Sequence, residues 1–242
     1  MARQAGHPAF AGAKIMETDD YSVCTAGGTL LLIAPQVAPA QRQAVLDSLL
    51  YSQLRANKLA GSRFEHYQAW FGSYRKELSA RGWIITQFYH DTQSASAGSL
   101  LAPIQPLRLW LDSQYETADG IIEAALGTLK GTQSSLDEFR GFTFEGRECG
   151  TRIALEIGLV HPGPVISLCS IALHASEPVE QVSIEGPLLA KGFQGEVLVK
   201  GLVAHLDGQQ YEPQRVQLRA LIERKQQEHP SLTRNLPGGI HE

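Results

Sequence analysis

Positions 153–174 of the chain read IALEIGLVHPGPVISLCSIALH, two apolar runs separated by a short link rich in proline. In the first run, large aliphatic residues alternate with smaller or polar ones, which is the periodicity of a β-strand. The link His161-Pro162-Gly163-Pro164 is typical of a turn, because proline and glycine interrupt regular structure. The segment therefore predicts a β-hairpin with strands at 153–160 and 165–174.

Helical periodicity dominates the chain before this hairpin and returns near its end. The spacing of apolar residues predicts helices over 39–61, 62–81, 106–115, 117–130 and 211–227, with a further turn or two over 134–139. Polar residues such as Asp47 and Gln53 fall outside the apolar stripe of the first helix. Ser62 is expected to cap the second helix, with Glu65 completing a capping box.

Further strands are predicted over 83–90, 181–184 and 196–206, where β-branched and aromatic residues are frequent. Helices thus come first, strands joined by hairpins follow, and one helix closes the chain. This order indicates an α+β fold. We predict an antiparallel β-sheet covered by helices on one face, with a C-terminal helix.

The two ends of the chain lack any period and contain many small and polar residues. We therefore expect a flexible N-terminal segment over 1–28, a single α+β domain over 29–228, and a flexible C-terminal tail over 229–242. The short apolar run Thr29 to Ala34 is a candidate to pair with a strand edge, either in its own subunit or in a neighbouring copy.

The composition is that of a soluble globular protein, with 43% hydrophobic and 19% charged residues. A formal net charge of −4 gives no basic footprint for nucleic acid, so we predict no nucleic-acid partner. No apolar run approaches the ~18 residues that a membrane span needs. Residues 1–14 also lack the charged-then-apolar order of a secretion signal. We expect a cytoplasmic protein, or one exported without a classical signal peptide.

Motifs of known catalytic and cofactor sites are missing from the sequence: it contains no GxSxG, HExxH, GxxxxGK[ST] or strand-linked GxGxxG. The histidines show no ligand spacing, and the three cysteines form no CxxC pair. We therefore predict no catalytic residue, no cofactor and no metal. An enzyme whose site is assembled from residues distant in sequence stays open as an alternative.

Two cysteines are candidates for acylation or for a reactive thiol. Cys169 shares its strand face with Val165, Ile171 and Leu173, so its simplest interpretation is a small buried hydrophobe; the alternative is a thiol that lines an apolar cavity. Cys149 stands at the start of a predicted strand and is expected to be partly exposed.

The second predicted helix is unusually aromatic. Its aromatic residues are Phe64, Tyr67, Trp70, Phe71 and Tyr74. At helical spacing such a row is usually core, and we predict a mostly buried face packed on the sheet. A stacking platform for sugars or bases is the alternative.

Two segments carry a resemblance to known proteins. The first is VLDSLLYSQLRANK at 45–58, followed by Tyr67, Trp70, Tyr74, Leu78 and Gly82-Trp83; the second is the strand, turn and helix over 197–222. They resemble a poorly characterised family of bacterial and fungal proteins associated with the bacterial virulence factor Evf. The resemblance implies a compact α+β protein without a known catalytic site, acylated on cysteine and acting in interaction with a host.

Three functions are compatible with these features. The first is a non-enzymatic binding or self-associating protein related to virulence or host interaction, with a fatty-acyl group or a membrane surface as partner. The second is a cysteine-dependent hydrolase or acyltransferase that uses Cys149 or Cys169. The third is a structural subunit of a homo-oligomeric assembly, and a homo-oligomer is our expectation in any case.

Overall fold

A computed structural model describes residues 21–94, 102–188 and 195–236, which form a mixed sheet flanked by helices. The helices are α1 (Pro39–Ala60), α2 (Tyr67–Ala80), α3 (Gln105–Gln114), α4 (Ala118–Lys130), α5 (Gln133–Thr143) and α6 (Gly208–Glu228). The strands are β1 (Ser22–Ala26), β2 (Thr29–Ile33), β3 (Trp83–Ser94), β4 (Phe144–Arg147), β5 (Gly150–His161), β6 (Val165–Ala175), β7 (Glu196–Leu206) and β8 (Thr233–Asn235). The α+β class is confirmed.

The sheet is built around the β5–β6 hairpin, which is confirmed together with its turn, since His161 lies opposite Val165. Its strand order is β3-β7-β6-β5-β2-β1-β8, and β4 also pairs with β5. Two strands pair with the edge of β5 that faces away from β6. Strand β4 pairs antiparallel with 150–153, and β2 pairs parallel with 156–160. The other pairings are antiparallel, so the sheet is mostly antiparallel, as predicted.

Helices lie against both faces of this sheet, so the structure adds a second helical layer to the one expected. Consecutive residues of a strand point to opposite faces. On β3, the ring of Phe88 lies 6.3 Å from Phe71 of α2, whereas the ring of Tyr89 lies 6.3 Å from Trp110 of α3. Helices α2 and α3 therefore cover opposite faces, and α1 packs on α2.

The predicted capping box at Ser62 is wrong, because α2 begins five residues later at Tyr67. The Ser62 hydroxyl instead accepts a hydrogen bond from the backbone N–H of Phe64, at 3.2 Å. The Ser62 carbonyl accepts from the N–H groups of Glu65 and His66. These contacts stabilise a tight turn, 62–66, between α1 and α2.

The strand predicted over 181–184 is also wrong, since these residues form an irregular connection outside the sheet. Their backbone carbonyls are used elsewhere. The Ile184 carbonyl accepts from the N–H of Ile104, and the Val182 carbonyl accepts from the Arg140 guanidinium at 2.7 Å. Side chains and loop backbone thus satisfy groups that a sheet ladder would otherwise have paired.

The sheet extends past both predicted limits of the domain, because β1 precedes residue 29 and β8 follows residue 228. The two strands pair with each other, and β1 turns into β2 through Gly27-Gly28. Gly27 has φ +54°, which the two-residue hairpin requires and glycine adopts without strain. The apolar run at Thr29–Ile33 pairs with β5 of its own chain. Residues 1–20 and 237–242, the rest of the segments expected to be flexible, lie outside the described residues.

Candidate functional site

Four polar residues cross the sheet in register on the face that α2 covers. Their positions are opposite one another on β2, β5, β6 and β7. All four are buried. We call this set the polar row: Thr29, Glu156, Ser170 and Lys200.

Hydrogen bonds tie the polar row to the helices above it. Oε1 of Glu156 accepts from the hydroxyl of Thr29 at 2.6 Å and from that of Tyr74 at 3.1 Å. The Gln53 amide donates to the Thr29 hydroxyl at 2.8 Å, which leaves the Thr29 proton for Glu156. On the next strand, the Tyr67 hydroxyl donates to Ser170 at 2.7 Å. The row is therefore held by one amide and two phenols.

Glu156 is 3% exposed, and its second carboxyl oxygen, Oε2, has no hydrogen-bond partner among the described residues. Burial raises the pKa of Glu156 to about 7, because an ionised carboxylate is poorly solvated there. The hydrogen bonds from Thr29 and Tyr74 and the positive charge of Arg63 act in the opposite direction on this pKa. A carboxyl group of this kind changes its charge near neutral pH.

Arg63 belongs to the turn between α1 and α2 and is a buried cation whose charge acts on this carboxyl group. It is 9% exposed, and no carboxylate of the described residues lies at ion-pair distance from it. Its guanidinium lies over the rings of Phe64 and Trp70, at 5.3 and 5.8 Å from their centroids. Burial lowers its pKa to about 10, so Arg63 stays charged at neutral pH.

The Arg63 guanidinium packs against the backbone of Gly28. A Cβ atom at position 28 would occupy the place of the guanidinium, so only glycine leaves room for it. The N–H of Gly28 also donates to Oε1 of Gln53 at 3.3 Å. The β1–β2 hairpin thus contacts both the cation and the amide that leads to the polar row.

A cleft of about 400 Å³ leads from the surface to Arg63, and we call it the Arg63 cleft. Its walls are mostly apolar, with Leu50, Leu54, Trp70, Phe142 and Leu232 among them. The lining also includes Glu145, whose carboxylate pairs with Arg147. The volume lies in the range of small-ligand sites. A mostly apolar cleft whose described lining includes one cation, the buried Arg63, fits an amphipathic anion, whose head pairs with Arg63 and whose tail lies on the walls.

The candidate cysteines lie elsewhere. Cys169 is 0% exposed and opposite Gly201, on the face that α3 covers, and burial raises the pKa of its thiol. A thiol in that environment is protonated and unreactive. Cys149 is exposed in the turn before β5. The structure brings neither cysteine to the Arg63 cleft.

The aromatic row of the second helix is confirmed as core for Tyr67, Trp70, Phe71 and Tyr74, which are all buried. Phe64 differs, because it lies in the turn before α2 and is half-buried in the wall of the Arg63 cleft. Two of the four buried residues present their hydroxyls to the polar row, so this face of α2 is both core and part of the site.

Sequence reasoning missed Arg63, Glu156 and Gln53. The signal for Glu156 is its position, since a single carboxylate interrupts an otherwise apolar strand. Gln53 lies off the apolar stripe of α1, yet it is 5% exposed, because α1 packs against α2, α6 and the start of β2. Nothing in the local sequence marks Arg63, whose burial depends on Gly28.

Within 21–94, 102–188 and 195–236, no three side chains of histidine, cysteine, aspartate or glutamate meet in a group that could hold a metal ion. No helix in those ranges combines the length and the apolar character that crossing a bilayer requires.

The sequence matches no protein-family model and no curated protein sequence. Among solved structures, a delta-endotoxin is similar to this chain with a TM-score of 0.42 and 11% identity, over 86% of this chain and 90% of the other. The Evf virulence factor is similar with a TM-score of 0.30 and 10% identity, over 93% of this chain and 87% of the other. By their names these neighbours are a toxin and a virulence factor, and likenesses this distant carry no argument about activity.

Proposed function

We propose that this protein is a non-enzymatic binding protein that takes an amphipathic carboxylate of the fatty-acid class into the Arg63 cleft. The observation that carries the proposal is the buried guanidinium of Arg63, which lines a mostly apolar cleft and has no carboxylate partner among the described residues. A buried cation is costly unless an anion pairs with it, so the site gains stability when an anionic head enters.

The apolar walls select the rest of the ligand. A small inorganic anion would pair with Arg63 but leave Leu54 and Phe142 in contact with water. An alkyl chain on the same anion removes that surface from water, at roughly 25 cal/mol for each Å². The cleft therefore favours a carboxylate with an apolar tail over a free anion.

Isothermal titration calorimetry at pH 6.5 with decanoate, decanol and acetate tests the proposal. We expect decanoate to bind, with decanol and acetate much weaker. Arg63→Gln should weaken decanoate about tenfold to a hundredfold, the range for a hydrogen bond to a charged group. Gly28→Ala should have a similar effect without changing any charge, because the new methyl group displaces the guanidinium.

The matched control is Gly127→Ala, where an added Cβ would meet nothing within 4 Å, and it should leave decanoate affinity unchanged. Thermal melting of each variant checks that the fold persists. Equal decanoate affinity in the wild type, Arg63→Gln and Gly28→Ala would refute the proposal. Binding to phosphatidylglycerol vesicles, unaltered by Arg63→Gln and without decanoate binding, would assign the protein to a membrane surface instead.

A further inference from the structure

We propose that Glu156 is a proton-operated control of the Arg63 cleft: the cleft holds an anion tightly when Glu156 is protonated and weakly when Glu156 is ionised. This inference rests on the proposed function, since it concerns the regulation of the same site. It names a buried carboxyl group that ligand binding alone does not require.

The hydrogen bonds determine where the proton is held. Oε1 of Glu156 already accepts two donors, the hydroxyls of Thr29 and Tyr74. Thr29 donates its single hydroxyl proton to this oxygen, while its own oxygen accepts from the amide of Gln53. The proton therefore belongs on Oε2, the buried oxygen that has no partner among the described residues. The neutral acid fits this environment better than the carboxylate does.

The same hydrogen-bond network extends to Gly28, the residue against which Arg63 packs. Gln53 contacts Thr29 through its amide nitrogen and the N–H of Gly28 through its amide oxygen. Gly28 is the residue on which the Arg63 guanidinium lies. Glu156 and Arg63 are thus neighbours across one amide and one hairpin, and the charge of each acts on the other.

Few groups compete with this pair. The uncharged groups that face Glu156 are Thr29 of β2, Gln53 of α1 through Thr29, Tyr67 and Tyr74 of α2, and Ser170 of β6. The cation that acts on it is Arg63 of the turn. Cys169 lies at the neighbouring position of β6, and Lys200 follows Ser170 in the polar row. Burial raises the pKa of both tyrosines and of Cys169, so these stay neutral, whereas Arg63 stays positive. Burial and the positive charge of Arg75 lower the pKa of Lys200, and Glu156 is the carboxyl group of the set, with a pKa of about 7.

The direction of the effect follows from the charges. An ionised Glu156 attracts Arg63 and repels an incoming anion, so both effects weaken binding. A protonated Glu156 leaves the Arg63 charge to the ligand. By linkage, a bound anion must in turn favour protonation of Glu156, so that binding near pH 7 takes up a proton, with one as the limit.

The test uses decanesulfonate, which stays ionised at every pH in the experiment, so that any pH dependence belongs to the protein. Calorimetry at pH 6.0 and pH 8.5 should show affinity roughly tenfold weaker at the higher pH. Titrations at pH 7 in buffers of different ionisation enthalpy should show proton uptake. Glu156→Gln, which is permanently neutral, should bind equally at both pH values without proton uptake. Glu212→Gln, at an exposed carboxylate of α6 that does not line the cleft, should keep the wild-type response.

Thr29→Val gives a second variant if Glu156→Gln does not fold. It removes a hydrogen bond that lowers the pKa of Glu156, so the pH at which affinity falls should move upward. Binding that depends on Arg63 but is equal at pH 6.0 and 8.5 overturns the coupling and leaves the proposed function intact. A pH response that survives in Glu156→Gln also overturns it. Absence of binding at any pH overturns both.

Discussion

Two rows of residues cross the same four strands one position apart, and they face opposite sides of the sheet. The polar row, Thr29, Glu156, Ser170 and Lys200, lies under α2. The row beside it, which we call the apolar row, lies on the face that α3 covers: Leu30, Ile157, Cys169 and Gly201. Both rows are buried, yet only the polar row holds hydroxyl groups, an amine and a carboxyl group with a pKa of about 7.

In this sheet, the burial of a residue and the polarity of its side chain have separate causes. Strand alternation decides which face a residue belongs to, but not whether that face meets water. The apolar row is filled by close packing, so tight that the indole of Trp110 lies against Gly201. The polar row is buried only because Gln53, Tyr67 and Tyr74 supply hydrogen bonds from above. The face under α2, where the helices supply these hydrogen bonds, is therefore the face that holds a titratable carboxyl group.

The largest expected effect comes from breaking the aromatic layer that covers the polar row. Trp70 is 2% exposed, and its ring lies 5.0 Å from that of Tyr74. Trp70→Ala should lower the free energy of unfolding by about 3 to 5 kcal/mol, the range for deleting a large buried aromatic side chain. Urea denaturation measures it. Leu109→Ala is the control, because Leu109 is 64% exposed and should change stability little. An unchanged midpoint for Trp70→Ala would mean that the aromatic row is not core.

The second effect is a pH dependence of the free energy of unfolding, which comes from the polar row. The folded protein holds the proton of Glu156 more strongly than the unfolded chain does, because its pKa is raised from 4.5 to about 7. The stability from this group is therefore complete below pH 4.5, falls as pH rises, and is lost once pH passes the folded pKa of about 7. The total loss is about 3 kcal/mol.

Glu156→Gln should not show this loss, so its stability relative to the wild type should improve by about 3 kcal/mol between pH 4.5 and pH 8. Urea denaturation at both pH values measures the change. A difference between wild type and variant that stays constant over this range would show that Glu156 is not held protonated. Glu212→Gln, at a carboxylate of α6 that is 64% exposed, should show no such improvement.

The smallest effect tests the apolar row. A Cβ at Gly201 would lie 2.5 Å from the Trp110 ring, so Gly201→Ala forces the ring to move. We expect a loss of about 1 to 3 kcal/mol, as for other overpacked cores. Replacing Trp110 by leucine in the same chain should recover part of it. A Gly201→Ala protein as stable as the wild type would show that α3 yields easily and that this row is not closely packed.

Periodicity predicted the elements that bury one clear face. The β5–β6 hairpin, α1, α4, β7 and the final helix all lie where the sequence places them, within a few residues at the ends. Elements fixed by distant partners were not predictable locally. β8 is three residues long and depends on pairing with β1, which lies at the other end of the described chain. β4 likewise depends on the open half of the β5 edge.

The candidate site was harder to predict than the fold. A glutamate among aliphatic residues in β5 is visible in the sequence, but its hydrogen bonds come from residues more than 80 positions away. Arg63 is a single arginine in a turn, and its burial requires a glycine at position 28 on another element. The candidate cysteines were visible because their chemistry is conspicuous, yet the structure places them away from the cleft.

A crystal structure of the protein grown with saturating decanoate at pH 6.0 tests the proposed site most directly. We expect electron density for the ligand in the Arg63 cleft. Its carboxylate should lie at hydrogen-bond distance from the Arg63 guanidinium, and its alkyl chain should run along Leu54 and Phe142. An empty cleft, or decanoate bound with its carboxylate away from Arg63, would contradict the account.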